Sequence, residues 1–332
     1  MFLTFLIITY RRPAKVARLL NLFLDSNWDQ LDRQDFEIVI ADDHGRDNTL
    51  EVINPILHKL EKKGWRVKYI CRDANLRGDR NLYYGYTRDS TGDYVWFLCD
   101  DDLIDVQQAI PYIETVRQLK PFVSMCGFTQ GPDDQLSNAF GGVARIISDF
   151  PEAVNYLIKF PKTTAYIMRR LPDTNLDEIF ERWDNTLFSW IGIPIYLLAL
   201  KEYKGVFVYP TIVAKADDDF GKLRYSFRIF AKLRPVVKDS IELANISFET
   251  IAPKLTHLGE TTDFDQCVYG LISHYSWRSY ITYAPEILGK ELEFFREHWT
   301  NSFNSTGSII NFCKLVICVM GSYVFRKKLK YR

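Results

Sequence analysis

Short apolar runs alternate with amphipathic helical patterns from residue 3 to residue 128, and this alternation restricts the chain to few architectures. Leu3–Thr9 is a strand candidate. Pro13 then opens a helix through about Asp25, with Val16, Leu19, Leu20 and Phe23 on one face. Phe36–Ala41 reads as a second strand, followed by a helix from about Asn48 to Lys63. Arg66–Cys71 is a third strand, with a short helix from about Asp79 to Arg88. Tyr94–Leu98 is a fourth strand, Val106–Leu119 a helix, and Phe122–Phe128 a further strand. Crossover units of this kind build an α/β fold around a Rossmann-like, mostly parallel sheet. Such sheets take ligands at the carboxyl ends of their strands. From about Asp149 the pattern becomes mainly helical, with IVAKADDDFG at Ile212–Gly221 as an interruption.

Expected organisation is a domain over 1–215, whose nucleotide-binding half spans about 1–130, then a helical region over 216–300 and a tail over 301–332. In the tail, NSFNSTGS reads as a linker. An apolar stretch from Ile309 to Val324 is followed by Arg326, Lys327, Lys328, Lys330 and Arg332. An apolar helix ending in a basic cluster suits an anionic membrane surface, and a terminal helix packed on its own domain has the same signature.

Charge excludes some classes. Lys and Arg number 42, Asp and Glu also 42, so a dedicated nucleic-acid binder, which carries a basic excess, is not expected. The six cysteines show no CxxC spacing, which argues against a structural zinc site and fits a reducing cytoplasm. The apolar N-terminal run lacks a basic leader and a small-residue cleavage site, so it reads as a strand and not as a signal peptide.

Polar clusters follow the strands. TYRR follows the first, DDHGRD the second and DDD the fourth. Asp100, Asp101 and Asp102 stand at the end of a buried strand, where adjacent carboxylates repel until a divalent cation relieves them. Oxygen ligands of this kind select Mg²⁺ or Mn²⁺. The alternative is that one Asp caps the next helix and the others are solvated. Asp42 and Asp43 end the second strand, where a carboxylate accepts from a base imide or from ribose hydroxyls. His44 reads as a turn residue, and Asp47 and Asn48 as helix caps. In NLRGDRNLYYG, Arg77 and Arg80 suit diphosphate oxygens and Asp79 a ribose or base. GxxxxGK[ST] is absent, and so is GxGxxG after every strand candidate. For a base that deprotonates an acceptor hydroxyl, DEIFERWDNTLFSW offers Asp177, Glu178, Glu181 and Asp184. Asp184 is the choice, because Trp183 beside it can stack on a sugar face. A second acidic triplet, Asp217–Asp219, reads as a solvated loop or a mobile lid.

These segments resemble glycosyltransferase family 2, with its GT-A nucleotide-sugar fold. FLIITYRRPAKVARLL, FEIVIADDHGRDNT and NLRGDRNLYYGYTRDSTGDYVWFLCDDDLI match it in order and spacing over roughly residues 2–130. The resemblance implies that Thr9 and Tyr10, with Arg12 beside them, border the nucleotide. It implies that Asp42 contacts the base with Asp43 next to it, and that Asn75–Asn81, with Asn75, Arg77 and Asp79, lines the nucleotide pocket. Asp100–Asp102 matches the DxD metal motif. Many members carry an acid where this chain has Cys99. On that alignment Asp101 is the principal ligand, with Asp102 beside it and Asp100 toward the nucleotide, whereas a literal DxD reading takes Asp100 and Asp102. A small residue before DDD looks like deoxysugar transferases of bacterial O-antigen polysaccharide assembly.

The function so implied is metal-dependent, inverting transfer of a sugar from a nucleoside-diphosphate sugar to a hydroxyl of a glycan or lipid-linked glycan. It would take place in the cytoplasm, with the tail docking at the inner face of the cell membrane. Two other readings remain: a GT-A-like binding module without a base, and a nucleotidyltransferase, against which the missing Gly-rich loop after the first strand counts.

Overall fold

A computed structural model describes residues 1–129, 142–159, 162–171, 176–184, 186, 188–200, 205–216 and 233–255. The chain divides into two units. The first comprises 1–220 and 236–254, and the second 221–235 and 255–332. Almost all of the second lies outside the described residues, as do the expected linker and tail and the Asp217–Asp219 triplet. Among the described residues, no helix is long and apolar enough to cross a membrane.

The first unit has a mixed α/β, GT-A Rossmann-like fold. β1 (Leu3–Thr9), β2 (Phe36–Asp42), β3 (Arg66–Cys71) and β4 (Tyr94–Cys99) form its parallel half. α1 (Pro13–Asp25), α2 (Thr49–Lys62) and α3 (Arg77–Tyr84) make the crossovers, and a π-helical turn (Gly85–Asp89) extends α3. β5 (Asp102–Ile104), α4 (Val106–Leu119), β6 (Val123–Thr129), β7 (Arg145–Ile147), α5 (Phe150–Lys159) and β8 (Tyr166–Arg169) follow. After them come α6 (Asp177–Trp183), α7 (Ser189–Ala199), β9 (Val206–Ala216), α8 (Leu233–Leu243) and α9 (Phe248–Ile251). The strand order is β3-β2-β1-β4-β8-β6-β9-β5, with β7 also paired to β9.

Burial explains the arrangement. β1 and β2 are buried along nearly their whole length, as expected of strands covered on both faces. α1 presents Val16, Leu19, Leu20, Phe23 and Leu24 to the core, and α2 presents Ile53, Leu57 and Leu60. Phe5, Phe23, Trp28 and Trp65 close into an aromatic cluster there, with Phe23 stacked on Trp28 at 5.3 Å between centroids. Trp96 and Tyr112 join β4 to α4 edge-on at 5.6 Å.

Among the described residues after Asp149 helices prevail, as the pattern suggests, and two strands that the pattern does not show run between them. β8 inserts antiparallel between β4 and β6, and the eleven-residue β9 runs parallel to β6. Pro210 breaks the apolar alternation of β9, and it falls where the β6–β9 register slips, between the pairs Cys126↔Tyr209 and Gly127↔Ile212. A bulge is where a strand accommodates a residue without an N–H. Gly127 faces it, and a Cβ there would lie 2.7 Å from the Thr211 carbonyl oxygen.

Candidate active site

The register sets Thr9 beside Asp42 and Ile8 beside Cys99, so the carboxyl ends of β1, β2 and β4 lie level. The chain turns sharply at this rim. Arg11, His44, Arg46 and Arg77 all have positive φ, between 50° and 69°, an uncommon conformation for residues with a Cβ. Such strain concentrates where the surroundings enforce a special geometry.

The acidic motif forms the centre. Asp100 and Asp102 are buried, and Asp101 is partly exposed. Asp100 has both oxygens engaged: Thr9 Oγ1 donates to Oδ2 at 2.6 Å, and Arg12 Nη1 lies 2.9 Å from Oδ1. The same Arg12 nitrogen donates to Asp101 Oδ2 at 2.6 Å. Asp102 opens β5, pairing antiparallel with the end of β9, and its Oδ2 accepts from Thr164 Oγ1 at 2.5 Å. Thr164 Oγ1 in turn accepts from the Cys99 backbone N–H at 3.1 Å. Burial pushes the Asp100 carboxyl up to about 6 against the pull of Arg12 and Thr9. Burial pushes Asp102 up to about 7, opposed by Thr164 and reinforced by Asp101. Carboxylates raised in this way are relieved by added positive charge.

Cys99 Sγ and the Asp101 and Asp102 carboxylates lie within 4.8 Å of one another. Two oxygen donors at a partly open rim fit a hard divalent cation. The helix cap sought in this motif is instead Asp105, which accepts from the Gln107 and Gln108 backbone N–H groups.

A second cluster ends β2. Asp42 accepts from the Gly45 N–H at 3.1 Å and from the Tyr69 hydroxyl at 2.6 Å. Asp43 accepts from the Leu76 N–H at 2.6 Å, and its own N–H donates to the Thr9 carbonyl. Burial pushes the Asp43 carboxyl up. Asn75 accepts from the Arg77 N–H at 3.0 Å, and both residues are exposed where the loop enters α3. Tyr10 is half-buried with the Arg11 guanidinium over its ring. His44 is a turn residue that contacts the Arg72 carbonyl and Arg46. Of the expected caps for α2, Asp47 holds the Thr49 N–H, and Asn48 makes no side-chain cap bond.

Three residues take places that the sequence does not suggest. Asp79 is buried, and its carboxylate accepts from the Ser189 hydroxyl of α7 at 2.8 Å. Arg80 does not stand apart for diphosphate: it forks onto Glu181 at 2.9 Å and Asp184 at 2.6 Å. Asp184 therefore sits in an ion pair with the first turns of α3, just past the Asn75–Arg77 loop. Trp183, next to it, donates its indole N–H to Asp239 at 2.8 Å, and Arg182 holds the same carboxylate. Thr164 and Tyr69, which orient Asp102 and Asp42, carry no motif of their own. Only the fold reveals them.

Residues 4–166 match the family model described as Glycosyl transferase family 2. Among solved structures, S. aureus TarS 1-349 is similar at 15% identity, covering 84% of this chain and 82% of that one with a TM-score of 0.59. Its complex with UDP gives 14% identity, the same coverage and a TM-score of 0.58. Its complex with UDP-GlcNAc gives 14% identity, coverage of 84% and 83%, and a TM-score of 0.56. At these identities the likeness speaks for the fold alone. No curated protein sequence matches the chain.

Proposed function

We propose that this protein is a glycosyltransferase moving a sugar from a nucleoside-diphosphate sugar to a hydroxyl of a glycan or lipid-linked glycan, with inversion. The observation that carries this reading is the acidic rim itself. Asp100, Asp101 and Asp102 stand at the carboxyl end of β4, level with Thr9 and Asp42, in a segment that matches the model of glycosyltransferase family 2. TarS, of like fold, is found with UDP and UDP-GlcNAc, which supports a nucleotide-sugar donor here.

In this reading Asp42, its orientation fixed by Tyr69 and Gly45, accepts from the nucleotide base. Asp43 holds the Asn75–Arg77 loop against the nucleotide through the Leu76 N–H. Thr9 and Tyr10 border the nucleotide, and Arg12 lies within reach of the diphosphate. Asp101 and Asp102 are the residues that would hold Mn²⁺ or Mg²⁺, which when bound neutralises charge on the leaving diphosphate. Asp184 takes the acceptor proton, and Arg80 holds its carboxylate in place. The donor is proposed to be a hexose or deoxyhexose, and the pathway bacterial surface-polysaccharide assembly of the O-antigen type. Docking on the inner membrane face through 309–332 is proposed from the sequence alone.

The test is transfer from a panel of nucleotide sugars to glycan acceptors with Mn²⁺. Asp101→Asn is expected to abolish turnover, and undiminished turnover would refute the metal role. A second reading, an inactive nucleotide-sugar-binding module, is favoured by one observation: the Asp184 carboxylate is already engaged by Arg80. Binding of UDP with no transfer from any donor would decide for it.

A further inference from the structure

We infer that Cys99 is a cation ligand in its own right, so that this rim takes a thiophilic divalent cation in preference to Mg²⁺. The inference rests on the metal reading above and asks what kind of site these residues make.

The donors still free to meet a cation decide the matter. Asp100 has both oxygens committed, to Thr9 and Arg12. Asp101 gives one oxygen to Arg12, and Asp102 one to Thr164. The motif looks like three carboxylates in the sequence, yet it presents only two partly engaged ones. The third group within reach is sulfur: Cys99 Sγ shares the 4.8 Å cluster with the Asp101 and Asp102 oxygens, and the residue is partly exposed. Its backbone is fixed twice, by pairing opposite Ile8 and by the N–H bond to Thr164. The hydroxyl of Thr164 therefore sets the positions of both Cys99 and Asp102.

Mg²⁺ demands oxygen and sheds water reluctantly, whereas sulfur favours softer cations such as Co²⁺, Zn²⁺ and Cd²⁺, with Mn²⁺ between. On coordination the thiol binds as thiolate and its proton leaves to solvent.

Titration of the full chain with Co²⁺ and Cd²⁺, read by ultraviolet–visible absorption, tests this directly. The wild type is expected to develop a sulfur-to-metal charge-transfer band that Cys99→Ser lacks. Cys71 and the other cysteines remain in that variant, so the difference belongs to Cys99. Cys99→Asp, which supplies oxygen instead, is expected to lower the ratio of Mn²⁺ to Mg²⁺ affinity by about tenfold or more, the scale on which ligand-shell changes act. If Co²⁺ binds both wild type and Cys99→Ser equally, with no sulfur band, and Asp101→Asn removes that binding, the inference falls while the carboxylate metal site stands. If none of these cations binds the wild type or Cys99→Asp, both fall together.

Discussion

Individual side chains at this rim act mainly as holders of other side chains. Thr164 is the clearest case: it receives the Cys99 N–H and donates to Asp102 across 62 positions of sequence. Thr164→Val leaves Asp102 buried without its donor, and should weaken Mn²⁺ binding by about 10–100-fold, the usual cost of losing an outer-shell partner. Calorimetric titration with Mn²⁺ measures it. Arg12 competes with a cation for Asp101, so Arg12→Ala should tighten Mn²⁺ binding in the same titration. Away from the site, Glu37 is a buried carboxylate that accepts from the Thr4 and Thr91 hydroxyls and the Thr91 N–H, with Lys68 at 3.4 Å. Burial alone would raise its pKa, but these partners outweigh burial and lower it. A carboxylate depressed in the folded state stabilises above its unfolded pKa, and that gain is lost as pH falls through the folded value. Glu37→Gln should cost about 1–3 kcal/mol at neutral pH, with the difference shrinking below about pH 4 in denaturant titrations. Asp42 and the Asp100–Asp102 run are legible in the sequence because acidic clusters directly follow apolar strands. Thr164, Tyr69 and Arg80 are not, because a lone polar residue shows its partner only once the chain is folded.

Secondary-structure elements divide along the same line. β1, α1, β3 and α4 have the limits that their apolar spacing and the start at Pro13 indicate. Each forms from its own pattern against a neighbour close in sequence. β5, β7 and β8 are three or four residues long, too short for any periodicity to register. β9 is long, but Pro210 and the bulge disguise it. Its pairing with β6 depends on the absence of a side chain at Gly127, where a Cβ would meet backbone atoms that cannot swing aside. Gly127→Ala should therefore destabilise the domain by about 1–3 kcal/mol, read as a lower denaturation midpoint at unchanged slope. α6 and α3 are joined by side chains: Tyr83 stacks on Phe180 at 4.1 Å and donates to Asp177, beside the Arg80 fork.

For the whole molecule, the described sheet links the parallel half to the mixed half through β4 and β8. The acidic motif lies where β4 ends and β5 begins, with only Asp100 and Asp101 between them. β4 is locked in register to β1, and β5 to β9. This has a consequence for changes of chain length. Because alternate strand residues face opposite sides, inserting one residue between Cys99 and Asp102 would force β5 either to slip along β9 or to turn its faces over. In both cases the carboxylate now beside Thr164 is carried away from it, although no residue has been replaced. An insertion scan across residues 90–110 should find this stretch the least forgiving for cation binding, with tolerance returning toward the exposed side of α4.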